Sequence, residues 1–324
     1  MKRILLVKTS SLGDVIHNLP VVNDILHHHP DAHIDWVVEE AFADIPRLHP
    51  KVKNIHQVAI RRWRKNLLKQ NTWHEIRECK HLLSAKPYDA IIDTQGLVKS
   101  AIIACGALGP RYGYDKHAIR ESFASHFYQH TYNISYQQHA VIRNRSLVAQ
   151  SLGYIVPNSA PDYGIQAPQL EIESLNIEIN SPYVIGLHGT SRDSKLWPES
   201  HWVNLAAALY AQQLKLLLPW ASQAEYARAL RIASAATNAV VLPKLRIAQL
   251  ASLISKARYA VGVDTGLSHL SAALSTPTVA IYTDTNPELT GVMAGANAPA
   301  INLGNINVVP SVDEVINALE ALSV

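Results

Sequence analysis

Residues 261–274 read VGVDTGLSHLSAAL, and they decide the fold. They continue YAVGV (259–263), an apolar run of strand length. Asp264, Thr265, Gly266, Ser268 and His269 then crowd together, and apolar residues resume at helical spacing. A buried strand, a polar turn and a helix in succession are most of a βαβ unit.

The same alternation extends in both directions. YVIGLH (183–188), LKLLLP (214–219), AVVLP (239–243) and TVAIYT (278–283) read as strands. Helical patterns cover 198–212, 222–236, 246–257 and 311–322, and one begins at 266. In the first half, strands are expected at 3–7, 33–38, 54–60, 89–94 and 130–135, with helices over 14–29 and 97–108. The segment 155–182 holds Pro157, Pro161, Pro168 and Pro182 and reads as a linker or domain edge. Two βαβ blocks imply an α/β protein of two Rossmann-like, doubly wound parallel-sheet domains facing a central cleft. Ligands of such sheets bind beyond the C-terminal strand ends.

The chain's 324 residues suit two cores better than one. With 48% hydrophobic and 17% charged residues it is an ordinary globular protein. No run of 18 apolar residues exists, so no transmembrane helix is expected, and ILLV before Lys8 is too short for a signal peptide. Cys79 and Cys105 have no metal spacing and suit a reducing cytoplasm. The net charge of +3 hides an asymmetry: residues 1–160 carry 20 Lys/Arg against 13 Asp/Glu, and 161–324 carry 9 against 13. The first half suits an anionic partner.

Polar motifs follow the strands. KTSSLGD (8–14) ends in Asp14 at a helix start, where a cap is the commoner role and a general base the sharper one. GTSRDSKLWP (189–198) offers Gly189, Thr190, Ser191 and Lys195, a set suited to a diphosphate, although a plain exposed loop is slightly favoured for it alone. Glu225, after LPWASQ, can accept both hydroxyls of a ribose, but an exposed helix Glu is commoner. In the opening stretch Gly266 permits close approach to phosphate, Thr265 and first-turn N–H groups can donate, and Asp264 and His269 remain for sugar. Alternatively, Asp264 caps the helix and His269 is partly buried. Three such loops on one expected sheet make the stronger case.

The absences narrow the chemistry. No two glycines stand as Gly-x-Gly, no P-loop is present, and no two aspartates stand two apart. No His, Cys or acid cluster has metal-ligand spacing, and His27, His28 and His29 read as an exposed helix end. Phosphate binding without a metal is therefore expected. The densest basic run, AIRRWRKNLLK (59–69), reads as a solvated helix face or as the border of a cleft suited to carboxylates and phosphates. TQGLVKS (94–100), Arg120 and YQQHAVIRNR (136–145) add Gln95, Lys99, His139 and Arg143.

These residues carry a resemblance. KTSSLGDVIHNLP (8–20), DWVVEEAFADIP (35–46), VAIRRWRK (58–65), DTQGLVKSA (93–101), LHGTSRDSKLWPESHW (187–202), LPW (218–220) and VDTGLSHLSAAL (263–274) resemble the bacterial ADP-heptose:lipopolysaccharide heptosyltransferases, with register held nearly end to end. VAIRRWRK with DTQGLVKS points to the members that add the first heptose. The resemblance implies a GT-B fold with an acceptor-binding domain over 1–170 and an ADP-heptose-binding domain over 171–310. It implies a final helix, 311–324, packing back on the first domain. The implied reaction is inverting and metal-independent, with no cofactor: L-glycero-D-manno-heptose passes from ADP-L-glycero-β-D-manno-heptose to the inner Kdo of Kdo2-lipid A.

By position, the resemblance makes Asp14 the general base and Lys195 the stabiliser of the departing diphosphate. Thr190, Ser191, Lys195, Glu225, Leu245, Asp264, Thr265, Gly266 and His269 would hold the donor. Arg61, Arg62, Lys65, Gln95, Arg120 and His139 would meet the acceptor. Gly189 replaces a frequent Ala, and Leu245 a frequent Met near the adenine. The protein would be cytoplasmic and peripheral on the inner membrane, with no nucleic-acid partner. The competing readings are a transferase for the second or third heptose and a non-catalytic nucleotide-sugar binder.

Overall fold

β1 (Arg3–Val7) runs RILLV, and its last four residues are buried, as a parallel strand covered on both faces requires. Around it lie β2 (His33–Glu39), β3 (Val52–Val58), β4 (Ala90–Asp93), β5 (Arg111–Tyr114) and β6 (His130–Tyr132). All pair parallel in the order β3-β2-β1-β4-β5-β6. β7 (Tyr183–Leu187), β8 (Lys215–Leu218), β9 (Ala239–Val241), β10 (Tyr259–Val263), β11 (Thr278–Tyr282) and β12 (Ala300–Gly304) form a second parallel sheet, ordered β12-β11-β10-β7-β8-β9. Counted from its own first strand, the second sheet has the strand order of the first. Each is a doubly wound sheet with its switch point at a central pair, β1/β4 and β7/β10.

The computed structural model describes residues 1–169 and 181–323. Its two compact units are Met1–Ile165 and Gln166–Val324. The expected boundary at 170/171 and part of the Pro-bearing segment lie outside the described residues.

Most expected strands hold within a residue or two. The helix expected over 14–29 is two helices, Leu12–Ile16 and Pro20–His28, because Pro20 has no N–H to continue the ladder and opens the second as its first residue. β5 and β12 were not anticipated. β5 is RYGY and β12 AINLG, short and without an apolar run.

The final helix, Val312–Ala321, has its apolar face in the core of the second unit. Its apolar residues Val315, Ala318 and Leu319 join the core of the second unit with Trp197, Trp202, Leu205 and Ile281. That face lies on its own sheet and on helix Glu199–Ala211.

Toward the N-terminal ends of β1 and β2, Asp35 is fully buried. It accepts from Arg3 Nη2 at 2.9 Å, Asn54 Nδ2 at 2.8 Å and Tyr88 Oη at 2.9 Å, and pairs with His33 at 2.9 Å. Burial alone would raise its pKa. The hydrogen bonds from His56, Asn54 and Tyr88 and the charge of His33 outweigh it and hold the carboxyl at about 2. A carboxyl so depressed stabilises the fold fully above its unfolded pKa and loses that contribution as pH falls through the folded value. The stability advantage of the parent over Asp35→Asn is therefore expected to shrink by roughly 2 kcal/mol between pH 5 and pH 2. Denaturant titrations of both proteins across that range test it, and a pH-independent difference contradicts it.

Candidate active site

The loop after β10 is where the sequence changes character, and the structure shows what each polar group does. Asp264 does not cap the helix Gly266–Ala273. Its Oδ2 accepts from Lys195 Nζ at 2.5 Å and from Thr285 Oγ1 at 2.7 Å. Its backbone carbonyl accepts from Thr190 Oγ1 at 2.8 Å. The loops after β7, β10 and β11 thus meet at one carboxylate. Thr265 occupies the N-cap position without a side-chain capping bond, so the first N–H groups of the helix are left for another acceptor. Gly266 opens this helix. His269 lies inside it, 6% exposed.

The helix seats against the sheet because Gly262 has no side chain. A Cβ there would stand 2.2 Å from Ser268 Oγ and 2.9 Å from Leu187 Cβ. Ser268 Oγ instead donates to the Val263 carbonyl at 2.7 Å and ties the helix to the end of β10.

Around this centre, Ser191 is exposed and Lys195 half-buried. Thr283 Oγ1 donates to the Ser194 carbonyl at 2.7 Å, and Ser194 Oγ donates to Asp284 at 2.6 Å, which fixes the Lys195 turn. Glu225 forms a capping box: its Oε2 accepts from the Ala221 and Ser222 amides at 2.6 and 3.1 Å. Its Oε1 accepts nothing from the described residues. A Cβ on Gly189 would come within 2.8 Å of this carboxylate, so the glycine gives it room. Trp220 donates to the Leu242 carbonyl at 2.7 Å and packs on Tyr226 with ring centroids 4.6 Å apart. Leu245 follows β9 and is half-buried. His188, directly after β7, is fully buried, and burial beside Arg228 depresses its pKa to about 4, so it is neutral at pH 7.

In the first unit the corresponding positions follow β1 and β4. Asp14 Oδ2 accepts from Ser11 N at 2.8 Å and Ser11 Oγ at 2.9 Å. The capping role is real, and it leaves Oδ1 without a donor among the described residues. Asp14 lines a polar pocket with Lys8, Thr94, Gln95, Arg120 and Arg143. Lys8 is buried and donates to the Thr94 carbonyl at 2.8 Å. Desolvation pushes its pKa down, opposed by the charges of Asp14 and Asp93. Asp93 is pushed up by burial, against hydrogen bonds from Tyr128 and Ser100 and the amides of Gln95 and Gly96.

The expected acceptor residues divide. Arg120 is exposed at the pocket. Gln95 Oε1 accepts from the Thr9 and Ser10 amides, each at 3.0 Å, so that oxygen staples the β1 loop. His139 caps helix Ala140–Leu152, its Nδ1 accepting from Val141 N at 3.2 Å. Arg62 pairs with Glu40 at 3.0 Å and with Glu75 at 2.9 Å. Arg61 stacks over Phe42 at 5.4 Å, and Lys65 is exposed. Neither is among the residues lining the Asp14 pocket.

Sequence reasoning passed over Thr285, although YTDT (282–285) repeats the strand-then-hydroxyl pattern. It also left Lys8, Tyr114 and Tyr136 without a role. Arg143 lies over the Tyr114 and Tyr136 rings at 4.7 and 3.9 Å and donates to the Ala118 carbonyl at 2.6 Å. Among the described residues no group of three or more His, Cys, Asp or Glu is arranged to hold a metal ion.

A family model described as Glycosyltransferase family 9 (heptosyltransferase) matches residues 76–317. The chain is 46% identical over 290 residues to lipopolysaccharide heptosyltransferase 1 of Pseudomonas aeruginosa, covering 89% of this chain and 81% of that one. It is 43% identical over 311 residues to the Escherichia coli K12 protein of that name, covering 94% and 96%. The structure matches E. coli heptosyltransferase WaaC with ADP at a TM-score of 0.88 and 40% identity, covering 98% and 99% of the two chains. It matches the same protein with ADP-2-deoxy-2-fluoro heptose at 0.85 and 40%, again covering 98% and 99%. The fold is of the GT-B type.

Gly262→Ala is expected to lower stability by about 1–3 kcal/mol, because the new Cβ dislodges Ser268 and the helix start. Adding Ser268→Ala removes the clashing oxygen and should recover part of the loss. Calorimetric unfolding of the three proteins checks this; an unchanged single variant contradicts it.

Proposed function

The chain belongs to glycosyltransferase family 9, the heptosyltransferases, and we propose that it moves L-glycero-D-manno-heptose from ADP-heptose to the inner Kdo of Kdo2-lipid A. What carries this reading is the identity of 46% and 43% to two lipopolysaccharide heptosyltransferases 1 over most of each chain. At 21% identity, the E. coli heptosyltransferase II structure shares the fold alone.

In the proposed reaction the acceptor hydroxyl attacks the anomeric carbon from the face opposite ADP. A new C–O bond forms as the C–O bond to the diphosphate breaks, and the configuration inverts. Asp14 Oδ1 takes the hydroxyl proton. The electron pair leaves with the β-phosphate, whose negative charge grows through the transition state. Lys195 and the free N–H groups at the start of helix Gly266–Ala273 are the donors suited to meet it, while Thr190 and Thr285, whose hydroxyl hydrogens go to Asp264, brace the loops around them. Asp264 holds Lys195 and Thr285 in place before the donor arrives. Glu225 Oε1 is the acceptor proposed for the ribose hydroxyls, with Leu245 at the adenine. On this reading a metal ion is not required, since a lysine and backbone dipoles fill its electrostatic role.

Asp14→Asn keeps an oxygen for the Ser11 cap and removes the base. It is expected to leave ADP-heptose affinity within about twofold and to lower kcat by about 10²–10⁴-fold. Lys195→Ala is expected to lower kcat by about 10²–10³-fold. Transfer of heptose from ADP-heptose to Kdo2-lipid A, assayed with EDTA present, tests donor, acceptor and metal independence together. Absence of product there, or normal turnover in Asp14→Asn, overturns the corresponding part.

A further inference from the structure

The turn between helices Ile60–Trp63 and Gln70–Ser84 puts apolar side chains where a folded protein rarely leaves them. Leu68 is 102% exposed, the highest of the exposed large hydrophobic residues described, and Leu67 and Trp73 are 50% and 48% exposed. This exposure is built rather than slack. Asn66 Nδ2 donates to the Arg62 carbonyl at 2.9 Å, Thr72 Oγ1 to the Asn66 carbonyl at 2.9 Å, and Trp73 Nε1 to the Leu67 carbonyl at 2.8 Å. Three side chains thus hold the backbone of a tip whose own leucines face water.

The surroundings of the tip are basic. Arg61, Arg64, Lys65 and Lys69 are exposed, and no Asp or Glu occurs between Asp44 and Glu75. The nearby carboxylates Glu40 and Glu75 share Arg62 and offset only part of this charge, so the tip stays positive. An apolar point ringed by cations, with an indole beside it, matches an anionic bilayer surface: phosphates outside, acyl chains beneath. A soluble acidic partner would not need the leucines, and an apolar protein groove would not need the cations. No helix among the described residues is long and apolar enough to cross a membrane, so any membrane contact they make is not a helical span.

We propose that this tip docks the protein on an anionic lipid surface, Leu67 and Leu68 entering the boundary between headgroups and acyl chains. Arg64, Lys65 and Lys69 meet lipid phosphates. The inference rests on the reading that the acceptor is a membrane glycolipid, and it gives that reading a point of attachment.

The test uses the full chain and vesicles of phosphatidylglycerol and phosphatidylethanolamine without Kdo2-lipid A, so that acceptor recognition plays no part. Leu67→Gln/Leu68→Gln is expected to lower vesicle affinity about tenfold or more. Arg64→Gln/Lys69→Gln is expected to remove much of the salt-sensitive part of binding. The leucine variant should keep parental turnover on a deacylated, water-soluble Kdo acceptor, which also shows that it is folded. Equal vesicle binding by parent and leucine variant, or equal parental binding to phosphatidylcholine vesicles, overturns the docking inference. Failure of the parent to use the deacylated acceptor would instead overturn the heptosyl-transfer reading, and the vesicle measurements would still decide docking.

Discussion

A parallel sheet covered on both faces can keep almost no polar group within its strands, so its chemistry has to gather beyond the strand ends. That constraint organises both units. β1, β4, β7 and β10 are apolar to their last residues, apart from Arg3 and Asp93, and then release Lys8, Thr94, His188 and Asp264 at the switch points. What the protein can bind is set by which loops emerge side by side there. In the second unit the three that meet supply a lysine, two hydroxyls and a carboxylate joined by hydrogen bonds.

Asp14, expected as a cap or a general base, and Glu225, expected as an exposed helix residue or a ribose acceptor, both cap helices. Each uses one oxygen to cap the helix it begins and leaves the other unengaged among the described residues. Capping is an effective way to position a reactive carboxylate, because backbone amides hold its rotamer without consuming its second oxygen. The two readings competed in the sequence only because spacing cannot tell one oxygen from another.

How much the sequence revealed follows from how far each signal reaches along the chain. Long apolar strands and periodic helices were legible, and so were the loops that follow them, since a strand with its turn and helix is a local pattern. β5 and β12 were not, because RYGY and AINLG are held as strands by neighbours distant in sequence. Thr285 escaped because its role exists only through Asp264, 21 residues away. The pairing of Arg62 escaped because its partners, Glu40 and Glu75, lie on separate elements.

The Lys195–Asp264 pair has a consequence for selectivity. Because the lysine already has an internal anion, the site presents only a muted positive field to solvent. An arriving ligand must compete with a carboxylate held a hydrogen bond away, and a weakly charged molecule does so poorly. A diphosphate, with several oxygens and more than one negative charge, can share the lysine and engage the helix N–H groups too. On the proposed reading of the site, the pair would work as a threshold on ligand charge, raised by Asp264 and passed by groups that bring enough charge of their own.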